Sequence, residues 1–181
     1  MADIRQATMF DIPGIQACDL LCFPGEDPRD YFLYEEYIVF WPRLVYVAED
    51  RGNGCIVGFV FGQVDGEGNE THGYIANLGV LPTHRKLGIA QKLMDAAQNA
   101  LVKEFGCEYV SLHVRTSNQA AISLYTEKLG YNYAIAANFY RNGEDAYVMR
   151  KQLQENQTDH LGHRILMAVA VRILLLLQNC C

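Results

Sequence analysis

The stretch Leu78-Gly79-Val80-Leu81-Pro82-Thr83-His84-Arg85-Lys86-Leu87-Gly88-Ile89-Ala90 decides the fold. Its first three residues close an alternating run, 73–80, that reads as a strand. From Ile89 onward Leu93, Ala96, Ala97, Ala100 and Leu101 recur on one side of a helix that Gly106 ends. Between the two lies a short loop carrying His84, Arg85, Lys86 and Gly88. A turn from a strand into a long helix aims the free N–H groups of the first helical turn at one spot, and the helix dipole adds partial positive charge there. Such a corner suits a phosphate or pyrophosphate. Gly88 lets backbone approach a ligand closely, and Ala90 keeps the first turn uncrowded. A plain surface turn with solvated basic residues uses the same residue types, so on spacing alone both readings stay open.

Working outward, residues 4–7 read as a short edge strand. Asp11 and Pro13 open a helix that runs to about Leu21. Two prolines and a glycine make 23–28 a loop. Tyr31–Phe40 is an aromatic-rich helix closed by Trp41-Pro42. Residues 44–48, 55–64 and 73–80 form a meander, joined by a turn at 50–54 and an acidic loop at 65–70. After the long helix, 109–114 alternates with Val110, Leu112 and Val114 on one face. Asn118 caps a helix running through Leu129, and 131–140 pairs with 146–149 in a hairpin across Asn142-Gly143. The order β–α–α–β–β–β–α–β–α–β–β predicts an α+β single domain, one mostly antiparallel mixed sheet flanked by helices, over 1–153. Residues 154–181 read as a C-terminal tail with a short apolar segment at 165–177, interrupted by Arg172.

The chain has 181 residues, half of them hydrophobic and a fifth charged, with a formal charge of −6. That suffices for one core without disulfide help and excludes disordered and collagen-like chains. The acidic balance argues against a general nucleic-acid binder. Six cysteines are present without a CxxC pair, so no zinc or redox motif is expected and no metal is assigned. Cys18 and Cys22 read as small core residues. The first residues are charged where a signal peptide needs an apolar run, which predicts a reducing, cytoplasmic home, with the nucleus also open. The apolar stretch of the tail falls short of the roughly 20 residues of a membrane span. Cys180-Cys181 lacks the CaaX pattern of lipidation.

A second constellation sits at Asn118 and Tyr125, seven residues apart, so that one helix face can contact two parts of an elongated ligand. Taken alone, it reads as a capped helix with a core tyrosine. Joined with Leu78-Gly79-Val80 and Arg85-x-x-Gly88-x-Ala90 in that strand–helix order, the pattern resembles the GNAT superfamily of acetyl-CoA-dependent N-acyltransferases. Stretches outside that motif, Cys18-Asp-Leu-Leu-Cys-Phe-Pro24, Trp41-Pro-Arg-Leu-Val-Tyr-Val-Ala-Glu-Asp50, Tyr109-Val-Ser-Leu-His-Val-Arg115 and Gly143-Glu-Asp-Ala-Tyr147, are similar to catalytic subunits of the NatA type. The loop departs locally, reading Phe23-Pro24-Gly25-Glu26 where the family has Leu-Pro-Glu.

The resemblance implies transfer of acetyl from acetyl-CoA to the α-amine of a protein N-terminus. It implies a cofactor site of Leu78, Gly79, Val80, Arg85, Lys86, Leu87, Gly88, Ile89, Ala90, Asn118 and Tyr125. It implies substrate walls from Phe23, Pro24, Glu26, Tyr31 and Tyr140, and Tyr125 as hydrogen-bond donor to the departing thiolate. An α-amine titrates near 7.7–8, so a modest base suffices. Two base candidates follow, Glu26 and the pair His113 with Tyr74. The family also implies a large helical auxiliary subunit, contacting 31–40, and ribosome association through it. A GNAT enzyme acting on lysine or a small amine, and a non-catalytic acetyl-CoA-binding assembly module, are the competing expectations. A lysine amine, titrating near 10.4, would need a stronger base.

Overall fold

A computed structural model describes residues 2–24, 30–66, 68 and 71–153. Glu26, the start of the acidic loop's far side at 69–70, and the whole tail expected at 154–181 lie outside the described residues.

The elements run β1 (Ala2–Gln6), α1 (Ile12–Cys22), α2 (Tyr31–Phe40), β2 (Val45–Asp50), β3 (Ile56–Asp65), β4 (His72–Val80), α3 (Ile89–Phe105), β5 (Tyr109–Arg115), α4 (Gln119–Ser123), β6 (Asn132–Ala136) and β7 (Ala146–Gln152). Seven strands form one sheet in the order β1-β2-β3-β4-β5-β7-β6. Every pairing is antiparallel except that of β4 with β5. The expected α+β architecture is thus observed, a mixed sheet flanked by helices.

The sheet is covered on both faces, which explains why β3 reads as a nearly continuous apolar run. Val60 joins the core under α3, with Leu93, Ala97 and Leu101. Phe59 and Phe61 join the core under α1 and α2, with Ile12, Ile15, Tyr34 and Ile38. Small residues let the layers close. A Cβ added at Gly73 would stand 2.5 Å from Leu101 Cδ1 of α3.

Two local predictions are corrected. The helix expected from Asn118 through Leu129 is α-helical over Gln119–Ser123 and continues as a π-turn over Leu124–Lys128. Thr126 Oγ1 donates to the Ile122 carbonyl at 2.8 Å, the acceptor its own N–H would take in an α-helix. Leu129 N then reaches back to Leu124 O at 3.1 Å. The final hairpin is also shorter. Strand β6 ends at Ala136, because Asn138 turns left-handed at φ 52° and gives its N–H to Asp145 Oδ1 at 2.8 Å. The tight turn at Asn142-Gly143 survives, with Gly143 N donating to Tyr140 O at 2.8 Å. The loop 137–145 therefore leaves the sheet and carries Phe139 and Tyr140 to β5.

Candidate active site

The parallel strands β4 and β5 are paired at two positions, Gly73 with Val110 and Tyr74 with Ser111. Beyond Tyr74, residues 75–80 keep β3 as a partner while 112–115 keep β7. The strands therefore diverge into a wedge. Alternate backbone groups on its two edges face the gap without a strand partner. β4 also holds a bulge at Ala76, since Phe61 faces Asn77 while Gly62 faces Ile75. The extra residue turns Leu78 toward the core under α3 and Gly79 toward Phe59 and Cys22.

At the narrow end of the wedge, Tyr74 Oη lies 3.1 Å from His113 Nδ1. Burial pushes the phenol up and the imidazole down from their ordinary values. The hydroxyl is thus the donor of this bond, and the imidazole is neutral at pH 7. Phe139 stacks on the imidazole with centroids 4.1 Å apart and planes 9° apart, fixing the ring. The loop bearing Phe139 is itself fastened to β5. Arg115 lies over the Tyr140 ring at 3.9 Å and bonds Glu144 at 2.9 Å. Hydrogen bonds from Ser117, ahead of the ion pair with Arg115, hold the Glu144 carboxyl below its ordinary value.

Tyr125, the second residue of the π-turn, is 7 % exposed. Burial raises its phenol well above the ordinary tyrosine value, and nearby Tyr140 adds to the rise. Tyr140 acts on Tyr74 in the same sense, so the three phenols share one region. Tyr125 packs edge-on against Tyr131, whose hydroxyl is engaged by Gln98 Nε2 at 3.1 Å.

The wide end of the wedge opens on the 85–90 loop. Lys86 and Gly88 are left-handed, at φ 61° and 76°, and Gly88 caps the 17-residue α3 without a side-chain bond. The N–H groups of the first helical turn are therefore presented together. A Cβ added at Gly88 would meet nothing within 4 Å, so its place is open space before the loop. Arg85 Nε donates to Val80 O at 3.2 Å, tying the loop to the end of β4. Leu87 is exposed and Ile89 buried beneath the corner. Asn118 spends its side-chain oxygen on the N–H of Ala121 at 3.2 Å, the cap expected of it. His84 is turned away, its Nδ1 2.9 Å from Thr83 Oγ1 and its Nε2 3.8 Å from Asp50. The residues present fit an extended ligand with a pyrophosphate: a helix N-terminus without a side-chain cap at one end, unpaired strand edges between, and protonated tyrosines at the other. Among the described residues no group of three or more His, Cys, Asp or Glu side chains is placed to hold a metal ion.

Beside the narrow end, a cleft between α2 and the β4 bulge is lined by Leu33, Tyr34, Tyr37, Phe61, Ala76 and Asn77. Of the expected substrate walls, Tyr140 lies over β5, Phe23 packs on the α1 side of the core, and Pro24 and Tyr31 are exposed. Glu26 lies outside the described residues, so the described base candidate is His113 with Tyr74. Sequence reasoning missed Phe139, Tyr34, Tyr37, Ala76 and Asn77. A signal for the tyrosines existed in the 3.6-residue spacing that puts Tyr34 and Tyr37 on one side of α2. None existed for the bulge at Ala76.

Comparison with known proteins places this geometry. Residues 12–131 match the model of the acetyltransferase (GNAT) family. The N-terminal acetyltransferase A complex catalytic subunit NAA10 of Arabidopsis thaliana is 53% identical over 158 residues, covering 87% of this chain and 81% of that one. Among solved structures, that of the NatC complex bound to Gag peptide and CoA aligns with a TM-score of 0.74 at 26% identity, covering 84% of this chain and 99% of that one. Ard1 from Thermoplasma volcanium aligns with a TM-score of 0.72 at 27% identity, covering 85% and 99%. A strand–loop–helix corner built for pyrophosphate, a wedge between two parallel strands, and relatives of this similarity lead to one statement: the chain belongs to the acetyltransferase (GNAT) family.

Proposed function

We propose that the chain is a protein N-terminal acetyltransferase, the catalytic subunit of a NatA-like complex. The observation that carries this reading is the juxtaposition of the wedge with the Tyr74–His113 pair, 3.1 Å apart, beside a small cleft. The similarity to the Arabidopsis NatA catalytic subunit supports it. Acetyl-CoA, the cosubstrate, supplies the acetyl group as a thioester. The first turn of α3, with Arg85, Lys86 and Gly88, holds its pyrophosphate, and the unpaired edge of 78–80 lies along the wedge.

The α-ammonium of the peptide enters by the cleft. Tyr74 accepts a proton from it, directly or through a water, as its own phenolic proton passes to His113 Nδ1. The imidazole ends protonated and the phenol is restored. A free N–H on the β4 edge of the wedge stabilises the oxygen that becomes negative as the amine attacks. Tyr125, kept protonated by burial, donates to the departing thiolate. An α-amine is the fitting nucleophile because a neutral, buried imidazole is a base of moderate strength.

The described surface supports a partner as well. Leu20 and Leu21 of α1 and Phe32, Val39 and Phe40 of α2 are exposed, Phe32 at 72 % and Phe40 at 67 %. Large apolar side chains left exposed on these two helices suit docking of a helical auxiliary subunit. Cytoplasmic residence and ribosome association through that subunit belong to the same proposal.

The test is transfer of labelled acetyl to a library of peptides with free N-termini, each paired with its N-blocked copy and a lysine-bearing control, with and without the co-purifying partner. Label on free N-termini alone is expected. Label on lysine in N-blocked peptides, or tight acetyl-CoA binding without transfer to any amine, refutes the proposal.

A further inference from the structure

Asp19 is a charged side chain in an apolar place. It sits on α1 at 4 % exposure, within a layer formed by Ile15, Cys18, Cys22 and Phe59. A carboxylate there is costly unless hydrogen bonds compensate it. Among the described residues, two other elements contribute to that compensation. Tyr34 of α2 donates its hydroxyl to Asp19 Oδ2 at 2.6 Å, and Asn77 of β4 donates Nδ2 to Oδ1 at 3.4 Å.

Tyr34 and Asn77 both line the cleft, one on the helix and the other next to the bulged residue Ala76. A single buried carboxylate therefore joins the two walls of the cleft from behind. Helix α2 has few other polar ties to the sheet among the described residues; Tyr37 Oη donates to Gln63 Oε1 at 2.9 Å, farther along β3. One charged acceptor shared by three elements sets the separation of the walls more directionally than apolar packing, through a short bond to the α2 wall and a longer one to the β4 wall.

We propose that Asp19 is a positioning residue for peptide binding, its carboxylate setting the distance between the α2 wall and the β4 wall of the cleft and thereby the affinity for the substrate's first residue. The proposal rests on the reading that a peptide N-terminus enters this cleft. Asp19 meets the β4 arm of the wedge only through the Asn77 side chain and makes no bond to Tyr74 or His113, so its effect falls on peptide binding and leaves the acetyl-transfer step intact.

The experiment compares Asp19→Ala, Asp19→Asn and Tyr34→Phe with the parent protein, each with its auxiliary subunit, in steady-state kinetics. Asp19→Ala is expected to raise the peptide KM about tenfold, the loss typical of a buried charged hydrogen bond. Its kcat and acetyl-CoA KM are expected to stay within about twofold. Asp19→Asn keeps an acceptor for Tyr34 and recovers most of the lost affinity, while Tyr34→Phe reproduces the Asp19→Ala rise. A purely structural role would lower the melting temperature and the active fraction, hence kcat, at unchanged peptide KM. That result, or a peptide KM within twofold of the parent in Asp19→Ala and Tyr34→Phe, overturns the proposal. Where Asp19→Ala fails to fold, the other two variants decide by the same criterion. A parent protein that acetylates no peptide refutes the functional reading instead.

Discussion

Replacing His113 by phenylalanine removes the proton acceptor and leaves a ring of similar size against Phe139, so the loop 137–145 keeps its stacking partner at the 4.1 Å spacing of the parent. Tyr74 loses its bond to Nδ1, 3.1 Å away and within reach for proton transfer. The smallest expected loss follows from the substrate. With a pKa of about 7.7–8, only about one-sixth to one-eleventh of an α-amine is neutral at pH 7. An enzyme without a base must wait for that fraction, a loss of about 6- to 11-fold. A positioned base typically contributes 10²–10⁴-fold, so a total loss of about 10- to 100-fold at pH 7 suits a substrate already so close to deprotonation. The sign of the pH dependence follows from the burial of His113, which lowers its pKa from the usual 6.5. The parent kcat is therefore flat above pH 7 and falls only as acid protonates the imidazole. In the variant, kcat climbs through the pKa of the bound amine, and its deficit shrinks to a few-fold by pH 9. The assay is kcat between pH 5.5 and 9 at saturating peptide and acetyl-CoA. A His113→Phe profile parallel to the parent's, or a loss under about threefold at pH 7, refutes the relay.

Gly88→Val tests the corner: a β-branched residue at φ 76° costs about 1–2 kcal/mol of strain and projects into the open space before the loop, so CoA affinity measured by calorimetry should fall at least tenfold with the fold retained in circular dichroism. Tyr125→Phe should lower kcat at least tenfold with CoA affinity changed less than threefold; unchanged turnover would remove its hydroxyl from the reaction.

The parts of the molecule legible in the sequence are those whose physics is local. The apolar stripe of α3 and the glycines at 88 and 106 fix that helix at Ile89–Phe105, and the aromatic run fixes α2 at Tyr31–Phe40, both as expected. The loop before α3 was legible for the same reason, since a left-handed Gly88 and a free helix N-terminus are properties of adjacent residues. What was not legible depends on partners far along the chain. Strand β6 stops at Ala136 because Asp145 takes the N–H of Asn138. The helix after Asn118 widens because Thr126 competes for a carbonyl. The bulge at Ala76 exists only in register with β3, and it is this bulge that puts Asn77 within reach of Asp19, 58 residues away. His113 and Tyr74 were each visible, while the stacking of Phe139 that orients the imidazole needed the loop to leave the sheet.

The two residue pairs that join β4 to β5 have a mechanical meaning. They act as the pivot of a lever whose arms are the diverging strands. Displacement grows with distance from a pivot. Leu78 and Val80 stand four and six residues from Tyr74, about 13–20 Å along the strand. Tyr74 is part of the pivot itself. An angular opening that shifts the far end of β4 by an ångström leaves the Tyr74 backbone almost stationary. Any difference in the angle between the two strands would therefore fall mostly on the phosphate end of the wedge and least on the Tyr74–His113 pair.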